Sequence, residues 1–583
     1  MSNAVRAASL VLLASGAANA YALGTATPTD IPGVLVVDAH VAASYVNNIT
    51  VGPAGNPPFT PGTDVFKLLT TQAFIAIRSY YTPKDPNKAG QAGGWISPIA
   101  ETRGLSRAQL IDRLALPVNP DGTRNNTFAL VLVPAGVSFW SGPAAAISSS
   151  KVAPIGSYWG AGGGIQYYVG RNAGDVSGFQ VPVTNYVLAA PMGEANLLAY
   201  SPRLTGNALG VGKYLDALSV QAYSDLDQLL TTLDLINLSA PAGDQKLQQA
   251  IGQLGAERHG AQGLAGMHQS GLFMDQLSAA SAALTSQSRR ACEIDGSGNR
   301  TWLRVEGARA RQSSDADRTG FSQNTTMLAV GVETARRDDW NFGAAAAYLS
   351  SDLEWASAAS GNGTLESGYF GGYASYRNDA LLATGQLFLG YSHIETRRNI
   401  SIPDAGLWPG YSFAVNRSAR GSTAALASGI RLDVAHLTSA WQTKLAPFVG
   451  FEYQRFDRAQ FDETGAGSAN LAVRSKAMDD FRLRLGVSLE LALGEAKRID
   501  WSLNGLLLSS PRLGGQSGAI DASFVGQGGS FLSDGWRSAS VLNQMAIGLS
   551  GRGKDADLSL AYQYERGSGF AMNALTFNAD WKF

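Results

Sequence analysis

Residues 481–491 read Phe-Arg-Leu-Arg-Leu-Gly-Val-Ser-Leu-Glu-Leu. Phe481, Leu483, Leu485, Val487, Leu489 and Leu491 alternate with Arg482, Arg484, Gly486, Ser488 and Glu490. A period of two sends the two sets to opposite faces of a β-strand. Charges on every second residue of so long a strand mean that one face meets water while the other is wholly apolar. Two later segments repeat the pattern. Leu558, Leu560, Tyr562 and Tyr564 alternate with Ser559, Ala561, Gln563 and Glu565, and Asn573, Leu575, Phe577, Ala579, Trp581 and Phe583 alternate with Ala574, Thr576, Asn578, Asp580 and Lys582.

A soluble sandwich also alternates, but its strands usually run about five or six residues. These segments run about ten to fifteen, the length of a tilted strand crossing a bilayer. Aromatics lie toward the ends of the apolar face, as in an interfacial girdle. Tight turns at 337–339, 378–379, 494–496 and 551–554 alternate with long polar stretches at 311–324, 398–418, 458–478 and 510–538. Short turns on one side and long loops on the other mark an outer-membrane barrel. About twelve antiparallel strands are expected, near 300–310, 325–336, 339–354, 365–377, 380–396, 420–435, 441–456, 479–493, 498–509, 539–551, 555–566 and 571–583.

Composition agrees. The 583 residues carry 45 Lys+Arg against 46 Asp+Glu, a balance that argues against a nucleic-acid partner. Charged residues make up 16% of the chain and Gly numbers 67, which suits a large β-protein. The single Cys292 leaves no intramolecular disulfide. At the other end, Met1–Arg6 bears one positive charge, Ala7–Ala18 is uncharged and contains Leu10–Leu13, and Ala18-Asn19-Ala20 has the form of a cleavage site. That is the layout of a secretory signal peptide over 1–20, read by the Sec export pathway. No later apolar run is long enough for a membrane helix, so a membrane span must be a barrel.

Upstream of the strands, Asp244–Arg289 lacks Pro and is rich in Ala, Gln, Leu and Gly, with Leu247, Ile251 and Leu254 at helical spacing. Gly252, Gly255, Gly260, Gly263 and Gly266 would weaken a free helix but let one thread a narrow pore. His259 and His268 fall here as polar helix positions. The expected organisation is therefore a signal peptide at 1–20, a small α+β domain at 21–205, a helical spacer at 206–243, a linker helix at 244–291 and an all-β transmembrane barrel at 292–583.

The last 290 or so residues resemble the autotransporter β-domain. The resemblance rests on the order of TWLRVEGAR at 301–309, GVETARRDDWNFGAAAAYL ending at 349, LAPFVGFEYQRF at 445–456 and the aromatic ADWKF at 579–583. It implies a barrel in the outer membrane's lipid, an N-terminal passenger at the cell surface or secreted, and a linker helix through the pore. It further implies that Phe583 and Trp581 form the signal read by the barrel-assembly machinery.

Within the passenger, common catalytic sets fail by elimination. His40 is its one histidine, no G-x-S-x-G occurs, no cysteine precedes Cys292, and nothing has metal-ligand spacing. No metal and no resident cofactor are called for. Gly160-Ala-Gly-Gly-Gly-Ile-Gln-Tyr-Tyr at 160–168 stands out, because consecutive glycines leading into a strand allow close backbone approach to a ligand. A glycine-rich hairpin loop is the plainer reading. With GGWISPIAETRGLSRAQLIDRLALP at 93–117 and AGVSFWSGPAAAI at 135–147, the segment resembles the tuberculosis-necrotizing-toxin type of NAD glycohydrolase over about 100 residues. That resemblance implies NAD as substrate, Gln166 as the catalytic amide, and Arg78, Arg113, Gly162, Gly163 and Gly164 as dinucleotide-binding positions, with Arg103 a further match. The chain departs from the family's pattern in Trp159-Gly160-Ala161, in the stretched spacing before the glycines, and in the distance of Arg78 from Ile96-Ser97-Pro98. A non-catalytic adhesin or binding passenger is the alternative.

Overall fold

The computed structural model describes residues 34–51, 55–80, 94–118, 122–148, 158–169, 186–191, 197–240, 245–281, 300–334, 339–356, 361–440, 443–496, 499–516, 518–553 and 555–582. The signal-peptide segment, Cys292 and Phe583 lie outside them. The chain forms two compact units, one of Met1–Leu197 with Ser219–Gln228 and one of Leu198–Leu218 with Leu229–Phe583.

The first unit holds β1 (Val34–Ala42), α1 (Ala43–Val51), β2 (Asp64–Thr70), β3 (Phe74–Tyr80), β4 (Trp95–Pro98), α2 (Arg107–Arg113), β5 (Thr127–Val133), β6 (Ser138–Pro143), β7 (Ile165–Tyr168) and β8 (Tyr186–Pro191). The strands make one sheet in the order β1-β2-β6-β7-β4-β3-β5-β8. Every residue of β5 is buried, as its unbroken run of apolar side chains requires. One face packs Leu68, Phe74, Ile96, Val131, Phe139 and Tyr167. The other packs Phe59, Val65, Trp140 and Tyr168 with Val46 of α1. The short helix read from the sequence at 107–114 is α2. A capping box starts it: the Gln109 amide N–H donates to Ser106 Oγ at 3.3 Å and the Ser106 N–H to Gln109 Oε1 at 2.8 Å.

Helices α3 (Gly206–Asp216), α4 (Asp225–Ser239), α5 (Lys246–Gly252) and α6 (Glu257–Ser281) follow. The expected linker helix is thus interrupted between Gly252 and Glu257, where Gly252 and Gly255 bracket a turn.

The second unit is a closed antiparallel barrel of twelve strands. They are β9 (Arg300–Gln312), β10 (Phe321–Glu333), β11 (Trp340–Trp355), β12 (Gly361–Arg377), β13 (Leu381–Ile402), β14 (Val415–His436), β16 (Thr443–Arg458), β19 (Lys476–Ala496), β20 (Ile499–Gly514), β23 (Val541–Arg552), β24 (Ala556–Gly567) and β25 (Phe570–Lys582). Between β14 and β16 the short β15 (Thr438–Ala440) pairs back on β16. Each barrel strand pairs with its sequence neighbour, and β25 returns to β9 in continuous register from Phe570↔Gln312 to Lys582↔Arg300. Closure removes every free edge, the condition for spanning hydrocarbon with strands. No helix among the described residues is long and apolar enough to cross a membrane.

Burial runs opposite to that of a water-soluble fold. Leu328, Val330, Leu387, Leu389, Leu432, Leu485, Ile547, Leu560 and Phe577 are exposed on the outer wall, while Arg304, Glu306, Arg431, Glu452 and Arg482 are buried inside. The outward rows named at 481–491, 558–564 and 573–581 take the expected face. The structure adds what the sequence reading left as loop: β17 (Phe461–Asp462), β18 (Leu471–Val473), β21 (Ile520–Phe524) and β22 (Phe531–Ser533) build a small four-stranded sheet from the long connections. Tyr214 of α3 packs on Phe524 and Phe531 of this sheet.

Candidate functional site

The lumen of the barrel is the first site. Nineteen of the 25 residues of α6 are buried, on every face of the helix, and its side chains reach strands around the whole circumference. Gln269 Nε2 donates to Ser351 Oγ on β11 at 2.7 Å and to the Leu365 carbonyl on β12 at 3.1 Å. His268 Nδ1 meets Gln323 Oε1 of β10 at 3.1 Å. Gln276 donates to Glu306 of β9, and Phe273 packs tilted against Tyr369 of β12 and edge-on against Phe388 of β13. Asp275 accepts from Arg431 of β14 at 2.9 Å, from Gln544 of β23 at 3.3 Å and from Gln563 of β24 at 3.1 Å. Arg431 and Arg484 also share Glu452, so one helix carboxylate joins a charge network spread over five strands.

The small residues permit this fit. A Cβ on Gly266 would stand 2.2 Å from the Phe456 ring, so the helix reaches that wall only as glycine. Both histidines of α6 have partners: the buried His259 places Nε2 2.9 Å from Glu463 Oε1, and the half-buried His268 meets Gln323 as above. They are helix polar positions, as expected. Asp275 escaped the sequence reading; its signal was a lone acid in the Ala, Gly and Leu-rich part of the helix. Below it, a cavity of about 380 Å³ opens among Arg300, Arg304, Asp433, Arg484, Glu490 and Asp580.

The second site is the glycine loop of the first unit. Gly162, at φ +72°, donates its N–H to the Asp112 carbonyl at 3.0 Å, Gly163 to Ala144 at 2.8 Å, and Gly164 to Arg113 at 3.0 Å. Two of the three thus cap carbonyls at the end of α2. Arg113 Nε donates to Glu101 Oε2 at 2.6 Å. Gln166 is 8% exposed, and its Nε2 donates to the Pro58 carbonyl at 2.5 Å. Next along β7, Tyr167 shares a 2.6 Å hydrogen bond with Tyr223, and burial pushes both phenols above their ordinary range. Arg103 pairs with Asp227 in the same interior.

The structure therefore brings Arg113, Gly162, Gly163, Gly164 and Gln166 into one neighbourhood. Arg78 is separated from Gln166 by the sheet itself. Ile96 pairs with Tyr167 and Ser97 with Ile77. Alternation then places Gln166 on the Ser97 face and Arg78 on the Ile96 and Tyr167 face. His40 Nδ1 lies 3.1 Å from Asp64 Oδ2 at an exposed strand end. Among the described residues no group of His, Cys, Asp and Glu has metal-binding geometry.

Residues 301–565 match the family model described as the autotransporter beta-domain. A curated relative from Pseudomonas putida, described as an uncharacterized protein in the trpE-trpG intergenic region, is 28% identical over 195 residues. The match covers 32% of this chain and 29% of that relative, so the chain spans under a third of the relative's length. Among solved structures, the translocator domain of autotransporter NalP from Neisseria meningitidis is similar with a TM-score of 0.39 and 13% identity, over 53% of this chain and 98% of that one. The beta domain of the Bordetella autotransporter Brka is similar with a TM-score of 0.34 and 15% identity, over 49% and 100%.

Proposed function

Residues 301–565 are an autotransporter β-domain of the outer membrane, and on that premise we propose that this chain carries its own N-terminal unit to the cell surface and then closes its pore with α6. The observation that supports this is a helix buried on all faces inside a closed barrel. Export through the Sec pathway and insertion by the barrel-assembly machinery, with Trp581 and Phe583 as the recognised aromatics, belong to the same reading. An epitope inserted at the exposed turn glycine Gly62 should be stained on intact cells expressing the whole chain. A tag that stays protected until the outer membrane is broken, in cells whose barrel is folded, would refute surface display.

For the displayed unit we propose recognition rather than catalysis. The amide of Gln166 is spent on Pro58, the glycine N–H groups are spent on Asp112, Arg113 and Ala144, and Arg78 stands on the other face. A dinucleotide would have to displace each of these internal partners. The second reading, NAD hydrolysis, draws on the order of the sequence pieces and on the gathering of Gln166, Arg113 and the glycines. The whole chain incubated with NAD is expected to release no nicotinamide. Release that Gln166→Ala cuts roughly a hundredfold to a thousandfold, the usual worth of one transition-state contact, would install the hydrolase instead.

A further inference from the structure

The long connections after Gln312, Ile402, Arg458 and Gly514 place those strand ends on the outer side of the membrane. At this rim the outward residues of four neighbouring strands align in rows. The upper row runs Asn543, Arg566, Ala571, Arg311; the row beneath runs Met545, Tyr564, Asn573, Arg309. Deeper rows are lipid-facing, with Tyr562 and Leu575, then Leu560, Phe577 and Val305. Arg309, Arg311 and Arg566 are all exposed. Among the described residues none of the three has an ion-pair or side-chain hydrogen-bond partner. Within these four strands neither row holds an acid; Glu354 and Asp352 enter the rows two strands beyond Arg311 and Arg309. On the far wall, by contrast, the outward Arg455 is neutralised by Asp457 at 2.8 Å.

A second feature adjoins the first. Beside the arginines the outer wall carries a groove of about 870 Å³ lined by Leu485, Val487, Leu507, Val541, Met545 and Tyr564, with Arg566 and Ser568 also on its lining. Its walls are apolar and its rim is cationic. Adjacent strands lie about 4.8 Å apart, so Arg566 and Arg311 stand roughly 10 Å from each other across the small Ala571. Two guanidinium forks at that spacing converge on a single phosphate.

We propose that this seam binds one phosphorylated glycolipid of the outer leaflet, its phosphate held by Arg309, Arg311 and Arg566 and an acyl chain laid in the groove that continues the same two rows across β23, β20 and β19. The occupant is a lipid A-type molecule rather than a glycerophospholipid, because the three arginines sit at the outer rim, where that phosphate lies.

The whole chain is purified in detergent, incubated with bisphosphorylated lipid A, and scored for retained lipid by native mass spectrometry. Dephosphorylated lipid A, phosphatidylglycerol and inorganic phosphate serve as competitors. Retention should be lost by about fivefold for each arginine changed to Gln, and Arg455→Gln should leave it unchanged. Ala571→Phe keeps all three arginines but fills the space between two of them, and should weaken retention as well. Heat-modifiable mobility reports folding of each variant. Equal competition by phosphatidylglycerol, displacement by inorganic phosphate alone, or full retention by folded R309Q/R311Q/R566Q or by Ala571→Phe would overturn the proposal.

Discussion

Glu463 takes on Arg398 through two hydrogen bonds, His259 through a third and the Leu471 amide through a fourth, at 3% exposure. Burial alone would raise its pKa, but the Arg398 guanidinium and then His259 hold it well below the usual carboxylate range. A depressed folded-state value means that its stabilisation is complete above the unfolded value and is lost only as pH falls through the folded one. Acidification from pH 7 to about 5 should therefore leave this contribution intact. Glu463→Gln should cost about 3–5 kcal/mol, because Arg398 would remain buried without its counter-charge. The temperature at which the folded band converts to the unfolded band on unboiled gels measures it; an unchanged conversion temperature would mean that the Glu463–Arg398 pair does not hold the fold. Gln166 carries the opposite lesson. Its burial follows from alternation, yet its separation from Arg78 depends on the register of β7, β4 and β3, and that pairing between strands distant in sequence leaves no local mark.

Among elements, β19 makes the clearest test, since Leu485 is 46% exposed on the lipid wall and Ser488 faces the lumen cavity. Leu485→Arg should cost about 2–4 kcal/mol and Ser488→Arg far less. Equal loss of folded barrel for the two, read from gel mobility in outer-membrane fractions, would refute the assignment of faces. The strands were legible because each must solve the same problem alone: one side in hydrocarbon, one in water, over more than ten residues. The sheet of β17, β18, β21 and β22 was not. Its strands are two to five residues long and gain their shape from partners up to about fifty residues away, so no period develops. The break between α5 and α6 was half legible, in Gly252 and Gly255, but glycine was equally needed for the close approach at Gly266.

For the molecule as a whole, the filled lumen is the feature that function turns on. A chain lacking Lys246–Ser281 should insert as a barrel of much higher conductance in planar bilayers than the parent. Equal conductance would mean that α6 is not what closes the pore. Closure of the wall has a different implication, one of timing. Since β9 must hydrogen-bond β25 before any barrel exists, no pore is available until the strand at Phe570–Lys582 has been synthesised. On the export proposed above, the sheet of the first unit, made long before, would defeat its own transit by folding early. Its strand order joins β2 to β6 and β4 to β7, contacts of high sequence separation that form slowly. Slow pairing in the first unit leaves an interval in which the strand at Phe570–Lys582, made after it, can close the pore before that unit folds.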